Sequence, residues 1–410
     1  MKSKRIEKNS PLASKFRDLQ LNYFLSDKKR PVHKGRPIWT TPFPLDKPQP
    51  GKPLAPDTGN SLNYGNYFHA VSDFLKKNRF EIVTTAISKN LQRNANLEEI
   101  KEINIHLKKH GEFYHPARVE IVLEGLNISF VLNVAVSSAG KGCIQKEYRL
   151  LEKLDSNFPF SFVPEVYGKG QINTKDNLKF YMFMGKWLEG FNEFHISRDP
   201  SDNKNKIIVW NTEKGTSFLS IEQTLELYRK AAMILTCYYN IETLEQIYPW
   251  HHAAGDFVIK QVNDTLEVKL VSVRQYASLF KANAVGDQDR SVDFYLEAML
   301  VFFLNLSIRM RLDRLDGVGE IVWAEDVAVE GTVIGCFDGL NLNPSSGLFK
   351  EPFVYLFRNH LLSCSKNDLL DLSQALVNRY NLRAPEVPII KKNLKRHVKK
   401  LYETIKCFFN

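Results

Sequence analysis

Apolar residues along this chain recur at two spacings. Short runs dominate between about residues 64 and 190, whereas beyond 220 the apolar positions fall three and four apart. Asn66 to Lys77 reads as a short helix, apolar at Phe68, Val71, Phe74 and Leu75. Strands are predicted over Glu81–Ala86, Asn104–Lys108, Arg118–Leu123 and Ser129–Val136. The last two are rich in β-branched residues and are joined by Glu124-Gly125-Leu126-Asn127, a hairpin signal. A helix is predicted over Lys146–Leu154, with Leu150, Leu151 and Leu154 on one face. A strand pair follows, Glu165–Gly168 and Lys179–Met184.

In the second half, Ile221–Asn240 carries Leu225, Leu227, Ala231, Ala232, Ile234 and Leu235 at helical period. Two short strands, Asp256–Val262 and Leu266–Val273, flank Asn263-Asp264. Val292–Arg311 reads as a long helix, and Asn367–Tyr380 and Pro388–Phe408 close the chain. The class is α+β and two-lobed: a small β-rich part with one helix, then a larger helical part. The boundaries are a basic Pro-rich arm over 1–60, a β-rich domain over 61–190, a helical domain over 191–388, and a C-terminal helix over 389–410.

Charge sharpens this division. The 410 residues carry a formal +10, but residues 1–60 hold +8 and 389–410 hold +6, leaving 61–388 at −4. A basic nucleic-acid-binding core is thereby disfavoured, and with it specific nucleic-acid binding. Eight prolines between 31 and 56 keep that stretch out of helix and sheet interiors, though Ile38, Trp39 and Phe43 give it apolar anchors. Five widely spaced cysteines without a C-x-x-C argue against a zinc ribbon or disulfide framework. The longest apolar run, Ala298 to Leu304, falls far short of the roughly 20 residues of a membrane span. A cytoplasmic location is the expectation. The C-terminal stretch has Ile390, Leu394, Val398, Leu401, Ile405 and Phe408 on one side and lysines on the other. It can dock on the body or meet an anionic partner or membrane surface.

Several short segments then carry candidate chemistry. They are Lys109-His110-Gly111-Glu112, Phe130-Val131-Leu132-Asn133-Val134, Gly140-Lys141-Gly142, Lys146-Glu147-Tyr148, Met184-Gly185-Lys186-Trp187, and Trp250-His251-His252-Ala253-Ala254-Gly255-Asp256-Phe257. In this order, with these elements between them, the chain resembles the protein-kinase-like fold, and within it the aminoglycoside/choline phosphotransferase branch. The resemblance covers roughly residues 100–310 and rests on element order more than on complete motifs.

The resemblance implies ATP and Mg²⁺ as cofactors. It makes Asp256 the catalytic base, with His252 in the same loop, and Asp293 the brace of that loop. Gly111 falls in the phosphate-covering hairpin, Glu147 matches the helix glutamate that would pair with the nucleotide-phosphate lysine, and Trp187 falls at the adenine-reading hinge. Asn133 occupies the position of the nucleotide-phosphate lysine, and Gln261 and Ser272 occupy the two metal positions. Lys141, Lys260 and Arg274 are candidate replacements for the absent lysine. Phosphoryl transfer relies on positioning and on neutralising oxygen charge, so these departures bear directly on activity. Mg²⁺ is usually held through one or two carboxylates, which Gln261 and Ser272 do not supply.

Three readings follow. The chain is a divergent kinase-like small-molecule phosphotransferase, whose acceptor lies against the acidic stretch of 291–345. Alternatively, it is a pseudokinase-type binding module without transfer. In the third reading it is an interaction protein that uses its basic ends. The acceptor is an unidentified small molecule in the first reading, and the acidic stretch is otherwise an ordinary solvated face.

Overall fold

Alternating runs in the first part pair into a six-stranded sheet, and the helical periods of the second part pack as helices. The computed structural model describes residues 19–25, 30–44, 62–111, 113–174, 177–211, 215–248, 250, 253–263, 265–279, 291–343 and 348–409. The class is α+β, with an N-terminal sheet and a mainly helical C-terminal part. The chain divides into two units: residues 1–152 with 165–189, and residues 153–164 with 190–410.

The sheet of the first unit contains β1 (Gln20–Leu25), β2 (Glu102–Leu107), β3 (Ala117–Val122), β4 (Asn127–Ala135), β5 (Val166–Asn173) and β6 (Lys179–Lys186). Their order is β1-β2-β3-β4-β6-β5. Only β1 runs parallel to its neighbour. A short helix, α1 (Pro37–Thr40), follows β1. Part of the segment read as an arm is therefore structural: β1 is a sheet edge, and Trp39 and Phe43 are buried.

One sheet face is covered by α2 (Tyr64–Leu91), whose start is fixed by a capping box between Asn63 and Asn66. Phe130, Leu132 and Val134 of β4 share a core with Phe68, Val71 and Val83 of α2. The strand predicted over Glu81–Ala86 is instead the second arm of α2, beyond a bend where Asn78, Arg79 and Phe80 take positive φ. Ile82-Val83-Thr84-Thr85 carries the β-branched signal, but burial of Phe80, Val83 and Ile87 follows helical spacing. The Thr84 and Ser88 hydroxyls donate one turn back, to Glu81 and Thr84 carbonyls.

The opposite face meets α3 (Ser138–Asn157) through Tyr148, whose ring lies 5.8 Å from that of Phe183. Phe183 alternates with Met182 and Met184, which belong to the α2-facing core, so it points the other way. Gly140-Lys141-Gly142, read as a loop, is the first turn of α3. A Cβ on Gly140 would collide with the Phe113 carbonyl oxygen, so this close approach requires glycine.

The second unit opens with a three-stranded sheet absent from the sequence reading: β7 (Glu193–Arg198), β8 (Asn205–Asn211) and β9 (Gly215–Phe218). Helix α4 (Ile221–Cys237) starts at a Ser220–Gln223 capping box. Next come β10 (Glu245–Ile247), the single turn α5 (Ala253–Asp256), and the hairpin of β11 (Phe257–Val262) and β12 (Thr265–Leu270). A strand β13 (Tyr276–Ser278) pairs back with β10. The apolar helix α6 (Val292–Arg309) leads into the small pair β14 (Leu312–Arg314) and β15 (Ile321–Trp323).

Three helices follow the next one, α7 (Val327–Leu342): α8 (Phe353–Ser363), α9 (Lys366–Asn378) and α10 (Val387–Phe409). Gly331, Gly335 and Gly339 place a bare stripe of α7 against the α4 backbone; added Cβ atoms would strike carbonyl oxygens of Leu225, Arg229 and Met233. Helix α10 docks through Ile390, Leu394, Val398, Leu401 and Ile405, which are buried.

Candidate functional site

Asp256 closes the single turn of α5, and β11 begins at the next residue. Its carbonyl oxygen accepts the Val271 N–H at 2.8 Å, so Asp256 and Val271 face each other across the open end of the β11–β12 hairpin. The Asp256 side chain is fully buried, and its Oδ1 accepts a 2.7 Å hydrogen bond from Arg274 Nη1. Arg274 is one-third exposed, so this pair has a buried anion and a cation that reaches solvent. A charge removed from water this completely needs such a partner. Ser272, half-buried, follows Val271 at the same end.

Gln261 stands elsewhere. It pairs with Leu266 near the turn of the hairpin, is exposed, and lies five residues along the strand from Asp256. At about 3.3 Å per residue that is about 16 Å. The two positions read as metal ligands, Gln261 and Ser272, are thus at opposite ends of one hairpin and do not share an ion. Among the described residues no group of three or more His, Cys, Asp or Glu could hold a metal. A hard divalent ion takes oxygen ligands and favours carboxylates, and the carboxylate at this end already carries Arg274. The described residues here do not fit Mg²⁺.

Lys260 is four residues from Asp256 along β11, with its ammonium 6.0 Å from the Phe191 ring and beside Gly190. It is therefore not grouped with Arg274. His252 lies outside the described residues. Asp293 is exposed in the first turn of α6. Arg309, at the other end of α6, touches the loop before Asp256: its Nη1 donates to the Trp250 carbonyl at 3.2 Å and its Nη2 to Tyr248 Oη at 3.4 Å. The guanidinium also lies over the Tyr248 and Tyr380 rings. Sequence reasoning passed over Arg309, although a buried-type helix ending Ile308-Arg309-Met310-Arg311 signals cations with internal partners.

In the acidic stretch the carboxylates are largely engaged. Asp313 is buried and accepts from the Ile196 and Arg314 N–H groups, with His195 Nδ1 at 3.1 Å. Asp326 pairs with Arg311 at 3.0 Å and Glu330 with Lys400 at 2.6 Å. These groups tie elements of the second unit together.

Within the first unit the remaining candidates lie along the sheet. Asn133 pairs with Phe183 across β4 and β6. Lys141 Nζ sits 5.9 Å from the ring of Tyr181, two residues from Phe183 on the α3-facing side. Burial, and then the nearby Lys179 charge, pull the Lys141 pKa down. Glu147 is buried in α3. The Gly111 N–H donates to the Tyr114 carbonyl at 2.9 Å. Two cations lie over the Trp187 ring, Arg118 at 5.5 Å and Lys108 at 6.0 Å from its centroid.

No protein-family profile and no curated protein matches the chain. Distant likenesses occur among solved structures. WaaP in complex with acyl carrier protein is 7% identical with a TM-score of 0.22, covering 72% of this chain and 86% of that one. A putative fructosamine-3-kinase from Haemophilus somnus 129PT is 10% identical with a TM-score of 0.23, covering 80% and 97%. Superpositions this loose lend no weight to a fold or a chemistry.

Proposed function

We propose that the chain is a kinase-like binding module that takes a nucleotide without metal-dependent phosphoryl transfer. One observation carries this reading: Asp256, the residue the resemblance makes the catalytic base, is fully buried and held by Arg274 at 2.7 Å. A general base must come within about 3 Å of the proton it removes, directly or through one water. The Asp256 carboxylate is covered and already neutralised. The divergence of Asn133 and Ser272 from the resembled pattern supports the same conclusion.

Calorimetric titration with ATP, in Mg²⁺ and again in EDTA, tests it. Binding should be equal in the two media, ATP should remain intact over hours, and Asp256→Asn should bind within about threefold of the parent, because the amide still accepts from Arg274. Absence of binding to any nucleotide would refute the proposal. The phosphotransferase reading takes its place if binding requires Mg²⁺ and ATP is consumed, with turnover lost in Asp256→Asn.

A further inference from the structure

Helix α10 is amphipathic, and the protein already uses its apolar side. Val387, Ile390, Leu394, Val398, Leu401 and Ile405 are buried. An interfacial helix inserts that side into lipid, and in α10 these six residues are already covered, leaving Phe408 at the C-terminal end exposed. Its other side is cationic: seven basic residues stand against one acid, Glu403. Two cations are engaged internally, Lys400 on Glu330 at 2.6 Å and Lys406 on the Leu362 carbonyl at 2.9 Å. Arg396 and Lys399 make looser pairs at 3.8 Å. Lys391, Lys392 and Lys395 are exposed and, among the described residues, have no ion pair.

The three lysines lie beyond the first turn, which Glu386 immediately precedes. Helix α10 has no acid in its first turn and sets three lysines within its first nine residues. Leu382, 66% exposed, and Arg383, also exposed, precede the helix.

We propose that the lysine face of α10 is an electrostatic docking surface for an anionic lipid bilayer, with the helix kept folded on the protein. Lys391, Lys395 and Lys399 form one row at four-residue spacing, about 12 Å long at 1.5 Å per residue. A straight row on a fixed helix suits a plane of anionic headgroups. Nucleic acid fits less well, because the exposed positions of the row offer no aromatic ring for stacking.

The test uses the full chain and sedimentation with vesicles of about 30% phosphatidylserine in phosphatidylcholine, against phosphatidylcholine alone. Binding should require the anionic lipid and should vanish as salt rises from about 50 to about 500 mM. With about fivefold per lysine, the Lys391→Gln, Lys392→Gln, Lys395→Gln triple variant should bind about 100-fold more weakly. Its far-UV dichroism and melting temperature should match the parent, because all three side chains are exposed. Equal binding by the triple variant overturns the proposal and assigns any affinity to the basic residues 1–60. Equal binding to neutral vesicles, no binding to either, or displacement from lipid by single-stranded RNA at lower concentration than by free lipid also overturns it.

Discussion

Acid should destabilise the second unit through one buried histidine. His397 of α10 is 1% exposed, and its pKa is pushed from 6.5 to about 3 by burial and then by the Arg311 charge. Hydrogen bonding fixes its neutral form. The Ser307 hydroxyl donates to the Leu304 carbonyl at 2.9 Å, so its oxygen accepts from His397 Nε2–H at 3.2 Å. Nδ1 then carries the lone pair and, among the described residues, has no hydrogen-bond partner. The unfolded chain takes up this proton below pH 6.5 and the folded chain does not, so stability is complete above pH 6.5 and is lost as pH falls toward 3. Each pH unit below 6.5 costs about 1.4 kcal/mol, which gives about 2 kcal/mol at pH 5. His69, His106 and His110 have depressed pKa values too, so the parent alone does not isolate the effect. His397→Gln does: its amide can still donate to Ser307, but it has no proton to gain. Urea unfolding between pH 8 and 5, with hydrogen exchange of α10 peptides as a local readout, should show the parent losing about 2 kcal/mol more than the variant. A parent–variant difference that stays constant to within about 0.5 kcal/mol across this range would refute the assignment.

Further substitutions test the ion pair at the candidate site and the packing of α7 on α4. Arg274→Met removes the cation paired with the buried Asp256 carboxylate and should cost about 2–4 kcal/mol in urea unfolding, with much of it recovered in an Asp256→Asn, Arg274→Met double variant; a cost below about 0.5 kcal/mol would show that other contacts hold Asp256. Gly335→Ala forces a methyl group onto the Arg229 carbonyl oxygen of α4, and should lower stability by about 1–3 kcal/mol, whereas the same change at Gly142, whose added Cβ meets nothing within 4 Å, should be neutral or stabilising in thermal melts.

Helices whose one side is buried, such as α4 and α10, were legible because their apolar spacing survives in the sequence. Helix α7 was not. It is apolar on most sides, and its contact with α4 is made by the absence of side chains at Gly331, Gly335 and Gly339, so hydropathy carries no period. A four-residue glycine spacing was the available signal. Glu81–Ala86 failed for the opposite reason: a β-branched run states a local preference, and burial of Val83 and Ile87 against the sheet overrides it. The short strands β7, β8 and β9 were missed: β7 is buried continuously from Phe194 to Ser197, β9 is a short exposed strand, and β8 alone alternates in burial.

The site divides along a sharper line. Gly255-Asp256-Phe257 drew attention to a carboxylate that the fold buries, and Arg274, which pairs with it, was among the cations named beside it. What failed was counting. An offset of five residues from Asp256 to Gln261 describes one site only if the chain coils between them. Here β11 starts immediately after Asp256, so the same five residues travel about 16 Å in a straight line. Arg274, eighteen residues away in sequence, is brought back by the hairpin and forms the 2.7 Å pair instead. Residue types at a charged site can be inventoried from sequence, but their pairings follow strand direction. That is why the cation read as a phosphate ligand pairs instead with the carboxylate read as the base.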